Sequence, residues 1–262
     1  MFGSCRTPCR RPGPTDNGTI VRTTPPPRLI TIPISHYCEK ARWALERAGI
    51  PYREEPHLQA IHWAHVWRAG AGRTAPVLVT PDRVLTESAD IVRWSDPSLY
   101  PDAESAALET RFDAELGPHA RRWMYHRILG RTDLVLTYGA PGVPRWERAA
   151  LPVFLPLVSR VIARYLAIDD ATAAESRAGV RRVLDAVGER LADGRGYLSG
   201  DAFTAADLAF AALAAAVLLP PRYGVPLPSP EELPEPFAAE VRALREHPAG
   251  RFALRLYDQE RP

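Results

Sequence analysis

Lysine, cysteine and methionine are scarce in this chain, and long apolar runs are missing. Lys40 is the only lysine among 33 Lys and Arg residues, and the 262 positions hold three cysteines and two methionines. The reliance on arginine, alongside abundant Ala, Pro and Gly, reads as base-composition bias and not as recognition chemistry. Three cysteines cannot build a disulfide framework, so a reducing, cytoplasmic compartment is the expectation. No apolar run reaches the length of a bilayer crossing. The longest, Leu208 to Leu219, is rich in alanine and follows a helix-start signal, so it reads as a buried helix and no membrane is expected. A formal charge of +2 is too small to imply a nucleic-acid partner. The G-x-S-x-G, P-loop and G-x-G-x-x-G signatures are also missing, which removes the hydrolase-elbow and nucleotide-binding readings.

What is present divides into three parts. Residues 1–28 are rich in Pro and Arg, nearly free of acids, and lack the apolar core of a secretory signal. Their prolines oppose the amphipathic helix of a transit peptide, so they read as a disordered tail. Cys5 and Cys9 in that tail lack the further Cys or His that a metal site needs. Residues 29–96 read as β-α-β-α-β-β-α. Strands are expected at 29–34 and 52–55, and a hairpin at 76–80 and 84–85 turns at Pro81-Asp82. Helices are expected from Tyr37 to a stop at Gly49, over 60–68, and over 87–94. After a linker at 97–102, residues 103–262 carry helical periodicity, cleanest at Val180, Val183, Leu184, Val187 and Leu191. Gly and Pro between 130 and 148 predict an irregular connection. At Phe203-Thr204-Ala205-Ala206-Asp207-Leu208, Thr204 and Asp207 form a capping box flanked by staple residues, which nucleates the buried helix behind it.

Chemistry concentrates at Ser35-His36-Tyr37-Cys38, where a strand meets a helix N-terminus. Unpaired amides and the helix dipole there favour an anion, so a thiolate or alkoxide is stabilised. Ser35 is equally a good helix cap. Cys38 is either a second reactive thiol or a buried side chain one turn into the helix. His36 is either a general base or an exposed first-turn residue without a role. His62 and His65 share a helical face at i, i+3, with His57 nearby. No cysteine or suitably spaced carboxylate completes a set, so they read as solvent-facing and no metal is expected. Arg121 and Arg122 beside Trp123, Tyr125 and His126 either line a substrate pocket between domains or pack as core with a charged face.

Taken together, these segments resemble the cytosolic glutathione S-transferase family. Ser35 to Arg42 is similar to that family's first-helix motif, and to the C-P-[FY]-C of glutaredoxins with Ser35 in place of the attacking cysteine. Thr74-Ala75-Pro76-Val77-Leu78 resembles its cis-proline segment, Thr86-Glu87-Ser88-Ala89-Asp90-Ile91 its acidic-Ser motif, and Phe203 to Asp207 its capping box. The resemblance implies an α/β plus all-α protein, with a thioredoxin-like domain followed by a helical bundle, usually as a homodimer. It implies glutathione as co-substrate and a small hydrophobic electrophile. By the same resemblance Ser35 donates to the glutathione sulfur, and the Ala75 backbone before a cis Pro76 pairs with the tripeptide. Glu87 and Ser88 then hold the γ-glutamyl end, and Arg73 lies near the glycine carboxylate. His36 departs from the proline common at its position, and Ala75 from the usual valine. Two other functions compete: thiol-disulfide or deglutathionylation chemistry through Cys38, and a non-catalytic binding protein that keeps the fold.

Overall fold

The computed structural model describes residues 25–262; Cys5, Cys9 and the tail up to residue 24 lie outside them. β-Branched and apolar residues in short runs give four strands: β1 (Arg28–Thr31), β2 (Arg53–Pro56), β3 (Val77–Val79) and β4 (Val84–Leu85). They form one sheet in the order β2-β1-β3-β4, with β1 parallel to β2 and antiparallel to β3. The helices α1 (His36–Arg47), α2 (His62–Arg68) and α3 (Ser88–Ser95) complete the expected β-α-β-α-β-β-α order. Alternation along β1 sorts its side chains by face. Leu29 joins Ala41, Leu45, Leu78 and Ile91 under α1 and α3, while Ile30 joins Val66 and Val77 under α2. Gly49 ends α1 with φ +65, a conformation that glycine adopts without a Cβ clash.

After the short turn Pro97–Leu99 the regular elements are all helices, joined by turns and loops. The helices are α4 (Ala103–Arg111), α5 (Gly117–Ile128), α6 (Thr132–Tyr138), α7 (Arg145–Tyr165), α8 (Asp170–Arg190), α9 (Ala205–Leu218), α10 (Phe237–Glu246) and α11 (Pro248–Gln259). A π-helical turn, Phe112–Leu116, joins α4 to α5. Every residue of α9 is buried, and the main core runs through it to Trp43 and Ala44 of α1. Asp207 fastens the start of α9 as expected. Its carboxylate accepts from the Thr204 amide at 2.9 Å and hydroxyl at 2.8 Å, and also from the Leu198 amide at 2.8 Å. Among the described residues no single helix is long and apolar enough to cross a membrane.

The irregular connection expected at 130–148 is instead mostly helix. α6 occupies its first part, and α7 starts at Arg145 and runs through Pro152 and Pro156. Turn-forming residues at Gly139, Gly142 and Pro144 mark the break between two helices, not an unstructured span. The buried face of α7 explains why it persists: Leu151 and Leu155 pack with Leu58, Ala140 and Val143. Burial of that face outweighs the local cost of the two prolines.

Candidate functional site

Seven of the eight predicted site residues come together. Ser35, His36, Arg73, Ala75, Pro76, Glu87 and Ser88 line one cavity of about 310 Å³ between the sheet and the helical region. Three separate segments deliver them: the β1–α1 junction, the loop between α2 and β3, and the β4–α3 turn. The Ala75–Pro76 bond is cis, as the resemblance implies. Ser88 opens α3, so its backbone amide lies among the unpaired N–H groups of that helix. Glu87 precedes it. Partial burial, then the neighbouring Asp90 and Asp113, push the Glu87 carboxyl above its ordinary value. Arg73 is exposed at the rim, and its carbonyl accepts from Nε2 of His62 at 3.1 Å.

Ser35 caps α1: its Oγ accepts from the Cys38 amide at 3.4 Å. The hydroxyl proton is left available to donate into the cavity. Cys38, the eighth predicted residue, faces the other way and is fully buried, with its Sγ accepting from the Ile32 amide at 3.4 Å. Burial pushes its thiol up, against the pull of Arg42. This is the buried alternative of the two weighed for Cys38, and it corrects Cys38 as a reactive thiol in the folded protein.

His36 corrects the expectation of an exposed first-turn residue. It is buried, and its Nε2 donates to the Gly117 carbonyl at 3.1 Å. Burial first, then the charge of Arg121, lower its pKa to about 3. A histidine this acidic stays neutral near pH 7 and makes a poor general base. The shift carries a stability consequence. The unfolded chain takes up the His36 proton near the ordinary value of 6.5 and the folded one only near 3, so acid favours unfolding inside that window. His36→Gln is expected to flatten the fall of stability below pH 6.5, by a slope of up to about 1.4 kcal/mol per pH unit. Urea unfolding of both proteins at several pH values measures it.

The histidine cluster also differs from its sequence reading. His57 and His62 are buried, and Glu147 of α7 supplies the carboxylate that appeared to be missing. Ligand atoms of His57, His65 and Glu147 lie within 4.8 Å of one another. Their geometry fits a clamp better than a metal centre. Glu147 accepts from His57 Nδ1 at 2.6 Å through one oxygen and from the Leu58 amide at 2.8 Å through the other. The His57 and His65 rings stack with centroids 3.4 Å apart and planes 19° from parallel. In-plane lone pairs on stacked rings do not converge on one ion. The cluster ties α7 to the loop after β2.

Sequence reasoning missed Tyr37, Gln59, Asp113 and Tyr165 as cavity residues, and left Arg121 and Tyr125 open between pocket and core. Tyr37 was legible only as an apolar helix position; its hydroxyl donates to the Asp113 carbonyl at 2.9 Å. Arg121 and Tyr125 do line the cavity, whereas Trp123 packs in the core against Phe237. A second, almost wholly apolar cavity of about 380 Å³ adjoins the first, sharing Ile32, Ile34, Gln59, Met124 and Tyr125 with it. Its far wall is built from α6 and α7, including Tyr138, Leu151 and Phe154. The arrangement can hold a polar, charged ligand beside an apolar one, with a hydroxyl donor near their junction.

Comparison with known proteins agrees with this fold. The profile of the glutathione S-transferase N-terminal domain matches residues 29–98, and that of the C-terminal domain matches residues 170–246. No curated protein sequence matches significantly. Among solved structures, a glutathione S-transferase of Ceriporiopsis subvermispora in complex with glutathione is similar at TM-score 0.58 and 18% identity. The match covers 90% of this chain and 98% of that one. Glutathione transferase GSTFuA3 from Phanerochaete chrysosporium is similar at TM-score 0.57 and 18% identity, over 91% and 98% of the two chains. A theta-class enzyme from Xanthomonas axonopodis pv. citri with glutathione bound gives TM-score 0.51 and 22% identity, over 88% and 97%. At such identities the structures speak for the fold. Helices α6 and α7, which wall the apolar cavity, fall between the two matched segments.

Proposed function

The chain belongs to the glutathione S-transferase family, and on that premise we propose that it binds glutathione in the polar cavity and activates the thiol for attack on an apolar electrophile. One observation carries this reading. Ser35, Arg73, Ala75, Glu87 and Ser88 are scattered over more than fifty residues and meet in a single cavity that opens onto an apolar one. In this reading Glu87 holds the γ-glutamyl ammonium, and Ser88 at the α3 N-terminus holds the adjoining carboxylate. The Ala75 backbone pairs with the tripeptide in strand-like fashion, and Arg73 reaches the glycine carboxylate. Ser35 donates to the sulfur, so the nucleophile belongs to the ligand and not to the protein.

The apolar cavity is the natural seat of the electrophile. Its walls offer area for dispersion and water exclusion but few polar anchors, which suits a small hydrophobic molecule held by shape. Holding both reactants side by side supplies part of the acceleration. Burial of Cys38 speaks against the disulfide-exchange alternative, and a homodimer in a reducing, cytoplasmic compartment accompanies the proposal. Calorimetry tests it: wild type should bind glutathione at or below millimolar concentration, and Glu87→Ala should weaken binding roughly tenfold through loss of a charge-assisted contact. No heat at millimolar glutathione would overturn the function. An unchanged affinity in Glu87→Ala would overturn only the γ-glutamyl assignment.

A further inference from the structure

One cation in the polar cavity is left without a counterion by these assignments. Arg121 lies one helical turn beyond Gly117, the residue whose carbonyl His36 contacts, so both sit on the same face of α5. Helical side chains lean toward their own N-terminus, which brings Arg121 back over Gly117 and toward the Ser35-His36 junction. It lines the cavity with Ser35. Among the described residues its guanidinium forms no salt bridge or hydrogen bond, and its Nε is buried without a partner. Its neighbours have counterparts: Arg122 donates to the Leu166 carbonyl and to Ser176, and Arg127, whose Nε is also left over, donates through its Nη2 to both oxygens of Glu240. The acid that the helical region contributes to the cavity lining, Asp113, is occupied by Lys40 at 2.7 Å. An unpaired, half-buried guanidinium beside a hydroxyl donor is an anion site awaiting its anion.

Charge matching identifies that anion. A glutathione thiolate carries one ammonium, two carboxylates and the sulfur. Glu87, the α3 N-terminus and Arg73 answer the first three, leaving the sulfur and Arg121. We propose that Arg121 is the cation that holds the bound thiol as thiolate, with Ser35 supplying a hydrogen bond to the same sulfur; this rests on the glutathione reading above. The step is a simple ionisation: the S–H bond breaks, the electron pair stays on sulfur, and the proton leaves to solvent. The other cavity guanidinium, Arg73, is taken by the glycine carboxylate in this reading. Buried His36 is neutral, and the ammonium of Lys40 is fully buried between Glu109 and Asp113.

The surroundings make the thiol's titration readable. Burial raises two of the cavity phenols, Tyr37 and Tyr125, to about 12, and lowers His62 below its ordinary value. His36 titrates near 3, and Glu87, though raised, starts from a carboxylate value of 4.5. An arginine guanidinium does not lose its proton in proteins. Across roughly pH 6 to 9, where free thiols begin to ionise, the bound thiol is therefore the cavity group expected to change charge.

Ultraviolet absorbance of the thiolate, followed against pH with glutathione bound, is the test. Arg121→Gln should raise the midpoint by about one unit, leaving roughly tenfold less thiolate at pH values below it. Arg121→Lys should restore most of that shift while folding like wild type, and kcat/KM should track the thiolate fraction in all three proteins. Arg121→Gln that binds glutathione with an unshifted midpoint overturns the proposal. So does a folded Arg121→Gln that no longer binds glutathione, since Arg121 would then be a carboxylate anchor. Failure of wild type to bind glutathione is a separate result and defeats the function itself.

Discussion

Ser35→Ala should lower kcat/KM for glutathione conjugation about 100-fold, the usual cost of deleting one donor aimed at a developing or stabilised anion. Binding of glutathione itself should weaken only about fivefold, because one neutral hydrogen bond contributes on the order of 1 kcal/mol. The split follows from what the hydroxyl does. Its oxygen is already engaged by the Cys38 amide, so the proton is the part that the ligand uses. A hydrogen bond to sulfur counts for most when the sulfur is charged, hence in the reactive form and not in the neutral thiol. Stability should also fall by about 1 kcal/mol, since the helix loses its cap. Initial rates, calorimetry and urea unfolding on one preparation separate the three effects. A Ser35→Ala protein with wild-type kcat/KM, alongside a Cys38→Ser protein without activity, would move the chemistry to Cys38.

The residues legible in the sequence share a property: each acts through its immediate neighbours in the chain. Ser35 follows a strand and caps a helix, Pro76 sits beside its cis bond, Ser88 opens a helix, and Asp207 reaches back three residues to Thr204. Local spacing records such roles. Glu147 was not legible, and Arg121 stayed open between pocket and core, because each takes its meaning from surroundings far away in sequence. Glu147 meets His57 across ninety positions, and the buried His36 ring meets the Gly117 carbonyl across eighty-one. Helix α7 shows the same limit at the level of elements. The spacing of Phe154, Leu157, Val158 and Val161 marks its second half as helix, and only the packing of Leu151 and Leu155 on Leu58 shows why it holds through its two prolines. The apolar cavity wall was therefore only partly legible, through residues such as Tyr125, Tyr138 and Phe154, and the polar cavity lacked Tyr37, Gln59, Asp113 and Tyr165.

Lys40→Met should cost about 3 to 5 kcal/mol of stability, the penalty for removing one partner of a buried ion pair. Lys40 is fully buried, its ammonium 2.9 Å from Glu109 and 2.7 Å from Asp113, which ties α1 to the start of the helical region. Glu109 is also buried, and burial raises its carboxyl even with Lys40 holding it down. Without the ammonium that rise must grow, and its sign predicts how the defect depends on pH. A carboxyl whose folded pKa lies above its unfolded one contributes stability below the unfolded value and loses it as pH rises through the folded value. The gap between Lys40→Met and wild type should therefore narrow on acidification, as Glu109 takes up a proton and no longer stands as an unpaired buried charge. Replacing both partners, Lys40→Met with Glu109→Leu, should recover most of the loss at neutral pH, because two apolar groups of similar size avoid the desolvation that the ion pair offsets. The cavity should register the change as well. Asp113, released from Lys40, becomes a counterion within reach of the Arg121 side of the site, so the bound thiol should ionise less readily in the single variant. A Lys40→Met protein with a wild-type thiol midpoint would mean that Asp113 stays turned away, and that Lys40 serves the fold alone.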